Sequence, residues 1–442
     1  MKSIFPENTI GSLKIDMSYA AVNLGSSTLW FFVNGWLMYY YLLPGREIEL
    51  ISVTFFGIAT FISRAMDIVM DLPNGYLSDH THSRWGRRLP YMFFASLVMP
   101  CLFILLWLPP RESAPVLNLV YLTAILLLFN LTYSLQQIPY RALLPELASS
   151  DQHRVQLSAW QAGFQLVGVI VAGLAGWFIA SFGYLKAAAL YAVGTLPLFF
   201  LPFLVLREKP ERQILASERI SLKISLATAL KNRAFISFVI ASSLYWIAST
   251  LILETIPFIV TQICGLSEAD TVYFYIPAVL ITLICFPLVT WLSNRLGKWK
   301  IFAGSLLASA VVLPGLALIG NWFPVPLMAQ GIVWILLESV AMSGAQVLPS
   351  AIIAEITDKD QELTGQRREG LYYATWSLFG QIASMAAAAL IPLTLLLGRS
   401  RSDLYGPLGV RMLGVLGGVF LLIAFLMLCL NPSKNTAHPE AH

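Results

Sequence analysis

Charge is scarce in this sequence. Lys and Arg number 28 and Asp and Glu 24, together 12% of 442 residues, while 57% are hydrophobic and the mean hydropathy is +0.72. A chain so poor in charge carries more apolar surface than a soluble fold of its length can bury, which excludes a water-soluble globular enzyme. The net charge of +4 is small and spread over loops, so nothing in it speaks for nucleic acid. Cys101, Cys264, Cys285 and Cys429 lie scattered in or beside apolar runs without paired spacing, which gives no disulfide framework and no cysteine metal site. No G-x-x-x-x-G-K-[ST] occurs, so nothing in the chain couples to ATP. Neither a nucleophile with its base nor a metal-ligand cluster is visible, and an enzyme is not expected. The first sixteen residues lack an apolar core and a small-residue cleavage site, and no signal peptide is expected there.

Long apolar runs are what the sequence has. They fall at about 17–43, 51–77, 89–108, 117–144, 155–182 and 186–206, then at about 234–262, 270–293, 300–320, 326–354, 369–397 and 407–430. With twelve spans and both termini on one side, the loops of that side hold about 21 of the Lys and Arg and the opposite loops about six. Positive-inside bias therefore places both termini in the cytoplasm, in a multi-pass protein of the plasma (inner) membrane.

The chain also repeats itself. LSDHTHSRWGRR (Leu77 to Arg88) after the second span returns as LSNRLGKWK (Leu292 to Lys300) after the eighth. LPELASSDQHR (Leu144 to Arg154) after the fourth returns as IAEITDKDQELTGQRREG (Ile353 to Gly370) after the tenth. Two parallel halves follow: residues 1–206 with six helices, a cytoplasmic connection at 207–233, and residues 234–442 with six more. This is the arrangement of the major facilitator fold, all-α and integral to the membrane. The connection mixes both charges with apolar residues at helical spacing, which fits an interfacial helix as well as a plain linker.

Within the second span, Arg64, Asp67, Asp71 and Gly75 are spaced 3, 4 and 4 apart and share one helix face. An ionised side chain in mid-membrane costs about 2.5–3.5 kcal/mol on insertion scales, so such residues face a partner or a watery path. An Arg64 to Asp67 pair that only ties helices together is the alternative, and it leaves Asp71 without a partner. Two carboxylates one turn apart supply hard oxygen ligands for Na+ or an acceptor for H+. Glu254 and Glu338 are isolated in apolar runs, as second coupling or substrate sites or, for Glu254, as a snorkelling group; Glu338 lies nearer mid-span and is the better candidate for charge tuning. Asp79, Arg84, Arg87 and Arg88 around Gly86 fit a gating loop that forms ion pairs and helix-terminus contacts, or serve topology alone. His80 and His82 have no third ligand nearby, so no metal is expected beyond a coupling cation. A substrate surface of amides and rings is expected from Asn34, Gln137, Tyr140, Trp160, Tyr372, Trp376 and Gln381, with Asn23, Gln136, Gln161, Gln165 and Tyr373 beside them. Such a mixture suits sugars, whose apolar faces stack on rings while their hydroxyls bond to amides; aromatics also mark membrane interfaces.

At DIVMDLPNGYLSDHTHSRWGRRLPY, IPYRALLPEL and TGQRREGLYYA the chain resembles the glycoside-pentoside-hexuronide cation symporters of the major facilitator superfamily, over nearly its whole length. In the melibiose permease branch an acid pair on the second helix binds the coupling cation, which the resemblance carries to Asp67 and Asp71, with Arg64 matching an arginine one turn earlier. That branch has charged sugar-binding residues where this chain has Ser27, Gln137, Ala162 and Gln381, so a neutral cavity is implied. The loop SDHTHSRWGRRLPY is also similar to that of plant sucrose transporters, and the wider family includes sodium-dependent lysolipid carriers. The resemblance implies a monomer that takes up a sugar or glycoside with Na+ or H+ by alternating access and needs no other cofactor. An amphiphile carrier and a non-transporting sensor or assembly factor on the same scaffold are the rival expectations.

Overall fold

The computed structural model describes residues 9–42, 50–81, 83, 85–111, 114–148, 150–205, 232–321, 324–364, 368–398 and 407–430. Among them the chain is helical, without strands. The first helices are α1 (Thr9–Tyr41), α2 (Val53–His80), α3 (Leu89–Leu105), α4 (Pro115–Leu147), α5 (Asp151–Gly173), α6 (Ala175–Phe182) and α7 (Tyr184–Val205). There follow α8 (Arg233–Leu253), the single turn α9 (Ile256–Phe258), α10 (Val272–Leu296), α11 (Lys298–Val312), α12 (Leu327–Thr364), α13 (Glu369–Leu395) and α14 (Pro407–Leu430).

Among the described residues, ten helical stretches are long and apolar enough to cross a membrane, and Leu89–Leu105 is a shorter apolar helix. The 33 residues of α1 extend about 50 Å. Asn23, Ser26, Ser27, Thr28 and Asn34 along it make it less apolar than those ten. The connecting segment expected to lie on the interface falls outside the described residues from 206 to 231.

Local chemistry explains several helix ends. Ser52, Ser150 and Asn232 cap α2, α5 and α8 by accepting from the N–H of Phe55, His153 and Phe235 at 3.2, 3.1 and 3.2 Å. Gly183, at φ 80°, closes α6 in a conformation that a side chain would strain. The seventh apolar run breaks after Leu253 because Pro257 lacks the N–H that would bond the Leu253 carbonyl; a π-helical turn, Ile259–Ile263, completes the crossing. Helices α2, α4 and α12 run past their apolar sections to His80, Leu147 and Thr364, so several charged stretches expected as loops are helix ends.

The helices form two compact units: α1 to α7 with Ser267–Ile276, and α8, α9 and the chain from Pro277 onward. In the first, α1 packs on α5 and α7, α2 on α4, and α3 on α4 and α7. The second repeats most of this pattern: α8 on α13 and α14, and α11 on α12 and α14. Small residues let backbones approach, as membrane helices require. Gly168 of α5 lies where a Cβ would meet Leu24 O at 2.6 Å, and the Thr28 hydroxyl donates to Gly168 O across the same seam at 3.2 Å. Gly414 and Gly418 of α14 do the same against Leu313 and Pro314.

Candidate functional site

The polar centre of the first unit is the seam between α2 and α4. Ser63, Asp67, Asp71 and Asn74 recur every three or four residues on α2 and form one stripe. Asn130 and Ser134 answer from α4. The Asn130 amide donates to Ser63 Oγ at 2.8 Å and to Asp67 Oδ2 at 3.2 Å. One turn on, the Ser134 hydroxyl donates to Asp71 Oδ1 at 2.7 Å and accepts from Asn74 Nδ2 at 2.9 Å. Each acid thus meets an α4 donor 63 residues further along the chain. Ser63, Asn74, Asn130 and Ser134 are buried, while Asp67 and Asp71 keep a partly open edge. Asp71, expected to lack a partner if Arg64 served only to tie helices, has one in Ser134.

Arg64 faces α1. Its guanidinium donates to Asn34 Oδ1 and lies 4.8 Å from the centre of the Trp30 ring. Trp30 stacks on Tyr133 of α4 with centroids 4.7 Å apart, and the Asn34 amide donates to Trp30 O at 2.7 Å. The cation is thereby positioned by α1 while its field still acts on Asp67. Two carboxylates and one guanidinium leave this region with one net negative charge when both acids are ionised.

A second polar layer joins α1, α4 and α5. Gln137 Nε2 donates to Ser26 Oγ at 2.8 Å. Tyr140 stacks on Tyr19 at 4.4 Å, and the Tyr19 hydroxyl donates to Tyr140 O at 2.8 Å and accepts from Gln161 Nε2 at 3.0 Å. Tyr140 and Gln137 are buried; Trp160 is exposed, with Phe164 as its ring neighbour.

In the second unit Trp376 of α13 donates its indole N–H to Ser242 Oγ at 3.1 Å and lies 5.0 Å from Trp246 of α8. Gly380 makes room for that indole: a Cβ there would fall 1.0 Å from Trp246 Cζ3. Tyr372 is buried at the start of α13, its ring edge-on to Phe235 and its hydroxyl accepting from Asn232 Nδ2 at 3.4 Å. Gln381 is half-buried. Glu338 is buried in α12.

In the loop after α2, Gly86 turns at φ 104°, with its N–H donating to Ser83 O at 3.2 Å. That turn brings Arg88, 3% exposed, to donate to Ala142 O near the end of α4. Arg87 is half-buried; Arg84 and the side chain of Asp79 lie outside the described residues. At the repeat-related place in the second unit, Lys298 Nζ donates to Ala351 O at 3.5 Å and lies 3.9 Å from Glu355 Oε2. The sequence reading missed Asn130, Ser134, Ser63, Asn74, Trp30 and Trp246. A signal for the α4 pair was present: Asn130 and Ser134 stand four apart in the fourth apolar run, matching the spacing of Asp67 and Asp71.

A family model described as MFS/sugar transport protein matches residues 18–432. The chain is 24% identical over 367 residues to an isoprimeverose transporter of Lactiplantibacillus pentosus, covering 80% of this chain and 74% of that one. It is 25% identical over 399 residues to a glucuronide carrier protein homolog of Escherichia coli K12, covering 87% and 85%. In fold it is similar to the solved nucleoside transporter NupG, with a TM-score of 0.69 at 11% identity over 95% of this chain and 98% of that one.

Proposed function

The chain belongs to the MFS/sugar transport protein family, a multi-pass membrane transporter and not an enzyme, and from that premise we propose that it carries a glycoside by cation-coupled symport. The carrying observation is the doubled contact of Asp67 with Asn130 and Asp71 with Ser134, which aligns two acids at one register of the α2–α4 seam. Na+ or H+ is the coupling cation at these acids. Hydroxyl and amide oxygens of Ser134 and Asn130 lie within reach of the same place, the amide by a half-turn about its last bond. Arg64 offsets one of the two negative charges, so one added cation completes neutrality.

The solute is a neutral sugar or glycoside. Gln137 and Gln381 offer amides where the melibiose-like branch has charge, and Asn34, Tyr140, Trp160, Tyr372 and Trp376 furnish the amide and ring surface around the path. The named relatives, an isoprimeverose transporter and a glucuronide carrier homolog, support a glycoside in preference to a free ion or peptide. The loop of Asp79, Arg84, Arg87 and Arg88 gates the path by holding or releasing the end of α4, and Glu338 tunes charge in the second unit. The protein works as a monomer in the inner membrane, both termini cytoplasmic, by alternating access.

A charge moving down 100 mV releases about 2.3 kcal/mol, enough for roughly 50-fold accumulation. The test is uptake of labelled isoprimeverose, glucuronides, galactosides and a lysolipid into proteoliposomes under imposed Na+ or H+ gradients. We expect one glycoside to be concentrated under one gradient, and Asp67→Asn and Asp71→Asn each to abolish that concentration while sparing exchange of solute for solute. Full accumulation by both variants would overturn the assignment of the acids, and uptake of the lysolipid alone would replace the glycoside.

A further inference from the structure

Glu338 lies in α12, 2% exposed, and neither carboxylate oxygen has a hydrogen-bond partner among the described residues. Ser309 of α11, 1% exposed, faces it, and the Ser309 hydroxyl is equally without a partner. The neighbours on its own helix, Trp334, Ile335, Ala341 and Met342, are buried and apolar. Three orphaned oxygens thus share one buried place between two packed helices.

The charged groups of the surrounding elements stand well away. On α11, Lys298 and Lys300 precede Ser309 by about 16 and 14 Å along the helix axis. On α8 the Tyr245 phenol faces the Glu338 carboxylate, while Arg233 lies about 18 Å before it along the axis and Glu254 about 14 Å beyond. On α13 the Tyr373 hydroxyl donates to Ser350 O, about 18 Å along α12 from Glu338, and Tyr372 and Glu369 lie further toward the start of α13. The charged residues of α12 itself begin at Glu355, about 25 Å away. The adjoining turns Ile259–Ile263 and Leu313–Leu318 hold no ionisable side chain.

We propose that Glu338 is a proton-binding site of the second unit, built independently of the acids on α2. One proton taken from water converts the carboxylate to a neutral carboxylic acid, with one donor and one acceptor. The acid O–H then donates to Ser309 Oγ and the serine hydroxyl donates back to the second carboxyl oxygen, so all three orphans are satisfied together. Hard metal cations take about six oxygen ligands, and three oxygens in apolar surroundings are too few for one. The proposal goes beyond the coupling role of Asp67 and Asp71 and stands without it.

The test uses dicyclohexylcarbodiimide on the purified full chain. A protonated carboxyl in apolar surroundings adds its O–H across one N=C bond, and the resulting O-acylisourea rearranges to a stable N-acylurea with no atom lost. Peptide mass mapping is expected to find the adduct at Glu338, with labelling that falls as pH rises. The same adduct is expected in an Asp67→Asn/Asp71→Asn background, which separates this site from the coupling acids. Ser309→Ala, which removes one partner and leaves the acid in place, is expected to shift the pH at which labelling is half lost. Labelling confined to Asp67 and Asp71, labelling at Glu338 that ignores pH, or its disappearance in the double Asn background would each overturn the proposal.

Discussion

The two units share a framework and differ in chemistry. Arg88 donates to Ala142 O and Lys298 to Ala351 O, and these carbonyls stand at repeat-related positions of α4 and α12. The pairings of α1 with α5 and of α3 with α4 return as α8 with α13 and α11 with α12. The close pairing of α2 with α4 does not return, for among the described residues α10 and α12 do not come together in the same way. It is on the unreturned pair that the two acids sit. The second unit instead has a tryptophan pair, Trp246 and Trp376, and the buried Glu338. Duplication thus supplied a scaffold whose short contacts both halves need, and the polar stripe of Ser63, Asp67, Asp71 and Asn74 survives where α4 lies close enough to satisfy it.

This comparison breaks most sharply in transport. Changes to the α2–α4 stripe should remove coupling, and changes to the tryptophan pair should remove affinity. Asn130→Ala deletes a donor that stabilises the ionised Asp67 carboxylate, an interaction of about 1.5–3 kcal/mol, so the cation concentration for half-maximal uptake should fall roughly 10- to 100-fold with the solute KM little changed at saturating cation. Trp246→Ala should do the reverse, raising the solute KM while leaving the cation dependence in place. If both variants changed both constants alike, the division of labour between the units would fail.

Much of this was legible in the sequence, for physical reasons that also mark where legibility stopped. Twelve apolar runs stand out because lipid demands them, and the spacing of Arg64, Asp67 and Asp71 stands out because charge in such a run is rare. Asn130 and Ser134 were harder to single out: small uncharged polar residues are common in membrane helices, and their meaning depends on which helix lies opposite. Trp246 was passed over for a related reason. One ring in an apolar run looks like any other until Gly380, 134 residues later, is seen to leave room for it. The break after Leu253 was signalled by Pro257, but hydropathy averages across a proline.

That slot carries the next prediction. Gly380→Ala puts a methyl group into the Trp246 indole, and overpacking of this kind costs about 1–3 kcal/mol, which should lower the melting temperature of the detergent-solubilised protein. The second change Trp246→Ala should remove most of that penalty, because the space it frees is the space the methyl needs. A Gly380→Ala protein as stable as the parent would mean that the indole has another place to go, and the tryptophan pair would lose its claim to be a fixed surface.

A last pair of variants tests the shared framework itself. Arg88 is 3% exposed and bonds a carbonyl near the end of α4, so Arg88→Ala removes a charge-assisted hydrogen bond of about 1.5–3 kcal/mol and leaves Ala142 O without that donor. Lys298 makes the related contact from a side chain that is 38% exposed, with the Glu355 carboxylate 3.9 Å away and Lys359 sharing it at 3.3 Å. Water screens that pair, and the carbonyl it touches is bonded at the outer limit of hydrogen-bond length, so Lys298→Ala should cost only about 0–1 kcal/mol. Thermal melting of the two variants, repeated at high salt, separates the cases: salt should erase what little Lys298 contributes and leave most of the Arg88 effect. Equal losses would mean that the two loops brace their units alike, and that the asymmetry between the halves is confined to the acids and the rings.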